Sequence, residues 1–218
     1  MVTFFLIRHA TNEWVQTGRL AGWTPNVHLN DYGKQQAAAL GERLAKVTLT
    51  AIYSSPLERT VETANAIAAH HNLTVILEEG IGEVRYGKWQ GKKLEKLAQK
   101  KRWAIVQNVP SRMQFPEGET MRGAQMRAVD TIERLYLQYN EQKDATIALV
   151  SHSDIIRMII AHYLGMHLDL FQRINISTAS LSVLVLGKGR PTVERVNDTC
   201  HNPPPPPISE EKTSKDSE

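Results

Sequence analysis

The chain has 218 residues, with 41% hydrophobic and 22% charged, the make-up of one ordinary globular domain long enough to bury a substantial core. Its single cysteine, Cys200, excludes an intrachain disulfide framework and a cysteine-built zinc site. A formal charge of +3 is too small to argue for nucleic acid, though it suits an anionic small molecule.

Residues 2–7 (VTFFLI) read as a short buried strand. From Asp31 to Val47, Ala37, Leu40, Leu44 and Val47 repeat at helical spacing. AIYSS (51–55) is a second strand, and a helix follows with Ser55 as its expected N-cap, Pro56 in its first turn and Leu57, Val61, Ala64 and Ile67 on one face. TVILEE (74–79) is a third strand. Residues 91–107 are lysine-rich and weakly helical. FPEGET (115–120) is a loop that starts a long helix, with Ala124, Ala128, Ile132, Leu135 and Tyr139 on its buried stripe. TIALVSH (146–152) is a strand leading into a central helix that is apolar nearly all round, and SLSVLVL and PTVERV close the chain as strands. This alternation predicts an α/β, three-layer sandwich: a mostly parallel, mixed central sheet flanked by helices.

Residues 1–200 form the expected domain. Residues 201–218, which include five consecutive prolines at 203–207, form an expected extended and disordered tail. No apolar run reaches the roughly 20 residues that span a bilayer, and the N-terminus reads as a strand without a basic leader. The expectation is a soluble, cytoplasmic protein with no membrane or nucleic-acid partner. The sequence leaves the oligomeric state open, with a homodimer within its limits.

Functional groups in open α/β sheets gather at the carboxyl ends of strands. Here the first strand ends in Arg8-His9, the second in Ser54-Ser55 just before Arg59, and the fourth in Ser151-His152, with Glu83 a few residues after the third. Two histidines, two arginines and a carboxylate at one sheet edge suit phosphoryl transfer. The planar guanidinium fork matches phosphate oxygens and stays charged, neutral imidazole is a nucleophile, and a protonated carboxylic acid protonates the leaving alkoxide.

The motifs LIRHA, SPLERTVETA, IGEVRYGKWQG, FPEGET and VSHSDIIR stand in an order that resembles the histidine phosphatase superfamily, the phosphoglycerate-mutase-like group. That resemblance implies His9 as nucleophile through a phosphohistidine, Glu83 as general acid and base, and Arg8, Arg59 and His152 as a phosphate clamp. It implies no metal and no cofactor. Three positions depart from the family pattern. Ala10 replaces a glycine, which requires negative φ there. Val15 stands where many relatives place a phosphate-binding asparagine, a role Asn12 is placed to take over. Ser153 replaces a glycine, and its backbone N–H at a strand-to-helix turn still suits an anion. Asn12, Ser153 and Gly22 make up the expected substrate-binding set.

Simpler readings exist for each residue. Arg59 in a first helical turn fits an exposed pair with Glu58 or Glu62, typically worth under about 1 kcal/mol. His152 fits a satisfied core histidine, and Glu83 a plain loop carboxylate. Lys88, Lys92, Lys93, Lys96, Lys100, Lys101 and Arg102 read as a solvated helix face, with a charged lid as the sharper alternative. Trp14, Trp23, Trp89 and Trp103 read as packing, with Trp14 and Trp89 near enough to the motifs to border a pocket.

The sequence therefore points to a metal-independent phosphatase acting on a small phosphorylated metabolite. The rivals are a phosphoglycerate mutase and a catalytically retired phospholigand-binding protein. A mutase needs further cations for the substrate carboxylate, and the short segment between WQG and PEGET carries no matching basic motif.

Overall fold

In the computed structural model, which describes residues 1–205, β1 (Val2–Arg8) lies inside one six-stranded sheet. The other strands are β2 (Ala51–Ser54), β3 (Val75–Leu77), β4 (Ala145–Ser151), β5 (Leu181–Leu186) and β6 (Thr192–Asp198), in the order β3-β2-β4-β1-β5-β6. The first four run parallel. β5 runs antiparallel to β1, and β6 antiparallel to β5. All six expected strands are present. β3 stops short of residue 79 because the Glu78 side chain accepts from the Gly80 N–H and turns the chain into a 3-10 turn, Glu79–Ile81.

Alternation along β1 divides the core. Val2, Phe4 and Leu6 pack with buried residues of α6 (Met121–Tyr139) and α7 (Ser153–Tyr163) on one face. Ile7 faces the other side, against Leu40 and Leu44 of α2 (Asp31–Leu44) and Ile67 of α3 (Glu58–Ala68). The expected three layers follow. Fully burying a side chain such as Leu40 contributes about 1.5–3 kcal/mol, so the helical stripes, more than local propensity, hold the layers.

The helix starts follow side-chain chemistry, with one correction. Asn30 caps α2 by accepting from Gly33 N–H, and Thr120 caps α6 by accepting from Gly123 N–H. Ser55 is not the cap of α3. That position is Leu57, without a side-chain bond, because the Ser55 hydroxyl is taken by His152. The lysine-rich stretch forms two short helices, α4 (Leu94–Ala98) and α5 (Trp103–Asn108), and its lysines are exposed. A four-residue helix, α1 (Glu13–Gln16), follows the β1 exit loop.

Residues 201–203 are bonded to the domain rather than detached from it. His201 Nε2–H donates to the Ala179 carbonyl, the Asn202 amide donates to Thr178 O, and the Pro203 carbonyl accepts from the Tyr32 hydroxyl at 2.9 Å. The rest of the expected tail, residues 206–218, lies outside the described residues. Among the described residues, no helix is long and apolar enough to cross a membrane.

Candidate active site

β1 and β4 pair in parallel with Arg8 opposite Ser151, so the residues that follow, His9 and His152, leave the sheet side by side. The His9 N–H donates to the Ser151 carbonyl at 2.9 Å, and the two imidazole centroids are 5.3 Å apart. The His9 backbone is held further by Ala10 N–H donating to Thr63 Oγ1 at 3.1 Å. Positive φ outside glycine is confined, in the described chain, to Asn26, Glu117, Asp144, Ala179 and Asn197, so Ala10 keeps the negative φ its side chain requires.

His9 has a defined tautomer. Its Nδ1 lies 2.8 Å from the Ala10 carbonyl, which only accepts, so Nδ1 carries the proton and Nε2 the lone pair. Burial, reinforced by the Arg59 and Arg8 guanidiniums, holds its pKa well below the usual histidine range. His9 is therefore a neutral imidazole lining a cavity of about 360 Å³.

His152 is fully buried, with Nε2 2.8 Å from Ser55 Oγ and Nδ1 3.4 Å from Arg59 Nη2. Burial and then Arg59 also hold its pKa well below the usual range. Its 3.7 Å separation from Glu83 Oε2 is thus a contact between a neutral ring and a carboxyl group, not an ion pair.

Arg8 and Arg59 reach the cavity already half-engaged. Arg8 donates through Nη1 to Ile176 O at 2.7 Å, and Arg59 through Nη2 to Gly22 O at 2.8 Å. Arg59 is 1% exposed, and the bland pairings expected for it are absent: Glu58 accepts from Asn26 N–H, and Glu62 from His28 and Leu29 N–H. Four buried donors without a partner, Arg8 Nε, Arg59 Nη1, Asn12 Nδ2 and Arg157 Nε, belong to residues that line this one cavity. A buried donor left unpaired costs about 1–3 kcal/mol, so the wall is short of acceptors in a way an anion relieves.

Glu83 is fixed by its own backbone. Its carbonyl accepts from Trp23 Nε1 at 2.6 Å and from Arg127 Nη2 at 2.9 Å, while Val84 N–H donates to its Oε1 at 2.9 Å. The Tyr86 hydroxyl sits between two carboxyl groups, 3.1 Å from Asp154 Oδ2 and 3.5 Å from Glu83 Oε1. Burial first, then the charge of Asp154, raises the Glu83 pKa to about 7, against the opposing pull of Arg59. It is a carboxyl group that both holds and releases a proton near neutrality.

All eight residues expected from the sequence, except fully enclosed His152, line the cavity. Arg8, His9, Arg59 and Glu83 do so with Asn12, Gly22 and Ser153. Asn12 has its Oδ1 occupied by Val15 N–H and its Nδ2 free, whereas Val15 offers the cavity only an aliphatic side chain. Gly22, at φ +54°, presents its carbonyl to Arg59, and an added Cβ there would meet Gln90 Oε1 at 2.9 Å. Trp14, Trp89 and Trp103 also line the cavity, as do Leu94 and Val106 from the lysine-rich stretch, whose lysines do not.

Five residues of the site were given no site role by the sequence. Ser55, Tyr86, Asp154 and Arg157 stand within motifs already singled out, and their proximity in sequence was the available signal. Arg127 had none. It projects from α6 and donates to the Gly80, Gly82 and Glu83 carbonyls, each within 2.9 Å. Among the described residues one cluster has metal-ligand chemistry, Asp198, Cys200 and His201, and none of the three lines the cavity. Arg43 already engages both Asp198 oxygens and His201 Nδ1.

Comparison with known proteins identifies the family and the fold. The family model for the histidine phosphatase superfamily (branch 1) matches residues 4–199. Phosphoserine phosphatase 1 of Hydrogenobacter thermophilus is 34% identical over 206 residues, covering 92% of this chain and 94% of that protein. A crystal structure of a phosphoserine phosphatase mutant from Entamoeba histolytica, in complex with phosphoserine, superposes with a TM-score of 0.82 at 28% identity, over 92% of this chain and 99% of that one. Bacillus stearothermophilus YhfR shares the fold, with a TM-score of 0.86 at 24% identity over 93% of this chain and all of the other. The chain belongs to the histidine phosphatase superfamily, branch 1.

Proposed function

We propose that the protein is a metal-independent phosphatase that hydrolyses small phosphate monoesters through a phosphohistidine on His9, with phosphoserine the first substrate to test. The observation that carries this reading is the His9 tautomer: Nδ1–H is committed to the Ala10 carbonyl, so the Nε2 lone pair is free beside two guanidiniums. Likeness to the phosphoserine phosphatases supports the choice of substrate.

In the first step, His9 Nε2 forms a bond to phosphorus as the ester P–O bond breaks. Protonated Glu83 delivers its proton to the departing alkoxide, and Arg8, Arg59 and the Asn12 amide donate to the phosphoryl oxygens. His152 stands behind this clamp rather than in the cavity wall, with Nδ1 3.4 Å from Arg59 Nη2 and Nε2 on Ser55 Oγ, and so positions the Arg59 guanidinium. In the second step, water attacks phosphorus, ionised Glu83 takes its proton, and the P–N bond breaks to return neutral His9. A pKa near 7 suits Glu83 to both directions.

The mutase reading is weaker. The segment between Gly91 and Gln114, where the resemblance places a mutase's additional cations, gives the cavity Leu94, Trp103, Val106 and Gln107 and no cation. Beyond Arg8 and Arg59 the cavity has, among the described residues, only Arg19 and Arg157 from elsewhere in the chain, and the likeness to phosphoserine phosphatases favours hydrolysis. Incubation with 3-phosphoglycerate separates the two activities: free phosphate supports the phosphatase, and the 2-isomer overturns it. Hydrolysis of an aryl phosphate in EDTA, abolished by His9→Ala, tests the metal-free reaction.

A further inference from the structure

We propose that Arg157, paired with Asp154, forms a second subsite in this cavity that reads the α-amino-acid end of a phosphate ester, the carboxylate on Arg157 and the ammonium on Asp154. The inference rests on the phosphatase reading above and adds which residues select the alcohol.

α7 starts at Ser153, so Asp154 and Arg157 lie one helical turn apart on one side, and both line the cavity that holds His9. Arg157 makes one hydrogen bond among the described residues, Nη1 to Asp154 Oδ1 at 3.1 Å. Its Nε is buried without an acceptor, and its side chain keeps 22% of its surface exposed. An i,i+3 pair of this kind adds only about 0.2–0.5 kcal/mol to a helix, so stability alone gives little reason to hold a guanidinium there. Asp154 Oδ1 receives Arg157 and Oδ2 receives the Tyr86 hydroxyl, yet each carboxylate oxygen can accept twice.

The charge pattern chooses the ligand. Arg8 and Arg59 present two cations to the phosphoryl group. Arg157 comes with its own counter-charge, so this part of the wall is neutral overall and dipolar. A second phosphate would meet one cation already shared with a carboxylate. A zwitterion places carboxylate against guanidinium and ammonium against carboxylate, and neither wall charge is left unpaired. The other nearby cation in the cavity wall, Arg19, lies over the Trp14 ring at 4.9 Å and has no acidic partner of this kind among the described residues.

The test is calorimetric binding in the His9→Ala background, where turnover does not interfere, using O-phosphoserine, phosphoethanolamine and inorganic phosphate. Phosphoserine is expected to bind at least about tenfold tighter than phosphoethanolamine, as a charged hydrogen bond warrants. Adding Arg157→Gln is expected to remove most of that advantage and to weaken phosphoserine more than phosphate itself. Arg157→Lys, which keeps charge but not the fork, is expected to fall between. Equal weakening of all three ligands, no preference for phosphoserine before the change, or selective loss with Arg19→Gln instead overturns the subsite. Aryl phosphate turnover by the wild-type protein separates that failure from failure of the phosphatase reading.

Discussion

Arg127 Nη2 donates to the Glu83 carbonyl at 2.9 Å, while its Nη1 holds the carbonyls of Gly80 and Gly82 at 2.8 Å. Glu119 completes the brace, accepting from Arg127 and, through Oε1, from Arg85 N–H. One side chain on α6 thus fixes the height of the acid in the cavity. Arg127→Ala is expected to lower kcat by about 10²-fold, the scale set by misplacing a reacting group. The loss should be larger for alkyl than for aryl phosphates, because alkoxides need the proton more. Equal loss on both would make Arg127 a folding residue only.

Glu83, raised to about 7, sets the pH profile. The acid form delivers the proton, so kcat/KM for an alkyl phosphate should fall as pH rises through about 7. Asp154→Asn removes the neighbouring charge that helps raise that pKa and should move this limb to lower pH. Glu83→Gln should abolish the limb and slow poor leaving groups most. A limb that stays in place in Glu83→Gln assigns the titration to another group.

Stability should also depend on pH. His9 and His152 are held neutral in the fold, below the 6.5 of a free histidine. Below 6.5 the unfolded chain takes up protons that the folded chain does not, so stability is full above that pH and is lost as pH falls. Replacing one of them, as in His9→Asn, should flatten the slope below pH 6 by up to about 1.4 kcal/mol per pH unit. Chemical denaturation across pH 5 to 8 reads this directly, and an unchanged slope contradicts buried neutral rings.

Gly33 lies where α2 meets the loop after His9. A Cβ there would stand 1.9 Å from the Thr11 carbonyl oxygen. Gly33→Ala must push that loop aside, at a cost of about 1–3 kcal/mol from overpacking. A lower melting temperature and a lower kcat are expected together. An unchanged kcat would mean that the loop absorbs the shift before it reaches His9.

Much of this was legible because the fold turns chain order into position. Short β-prone apolar runs marked all six strands, and the residues at the carboxyl ends of β1, β2 and β4 meet since parallel pairing aligns those ends. Ser55 misled because a serine before a helix is usually a cap, and only the tertiary position of His152 redirects its hydroxyl. Arg127 left no trace because the groups it holds beside the site are backbone carbonyls, which no side-chain pattern announces, and its one acidic partner, Glu119, lies eight residues away, off the i,i+4 spacing of a helix pair. Tyr86 and Asp154 were within quoted motifs, but the bond between them spans 68 residues and appears only in the folded chain.

The most direct measurement is to stop the wild-type reaction in base during turnover of a phosphate monoester and locate the phosphoryl group by mass spectrometry. One acid-labile, base-stable phosphoryl group is expected on the peptide that carries His9, absent in His9→Ala. Rapid turnover with no such adduct, or a phosphoryl group on any other residue, contradicts a phosphohistidine on His9.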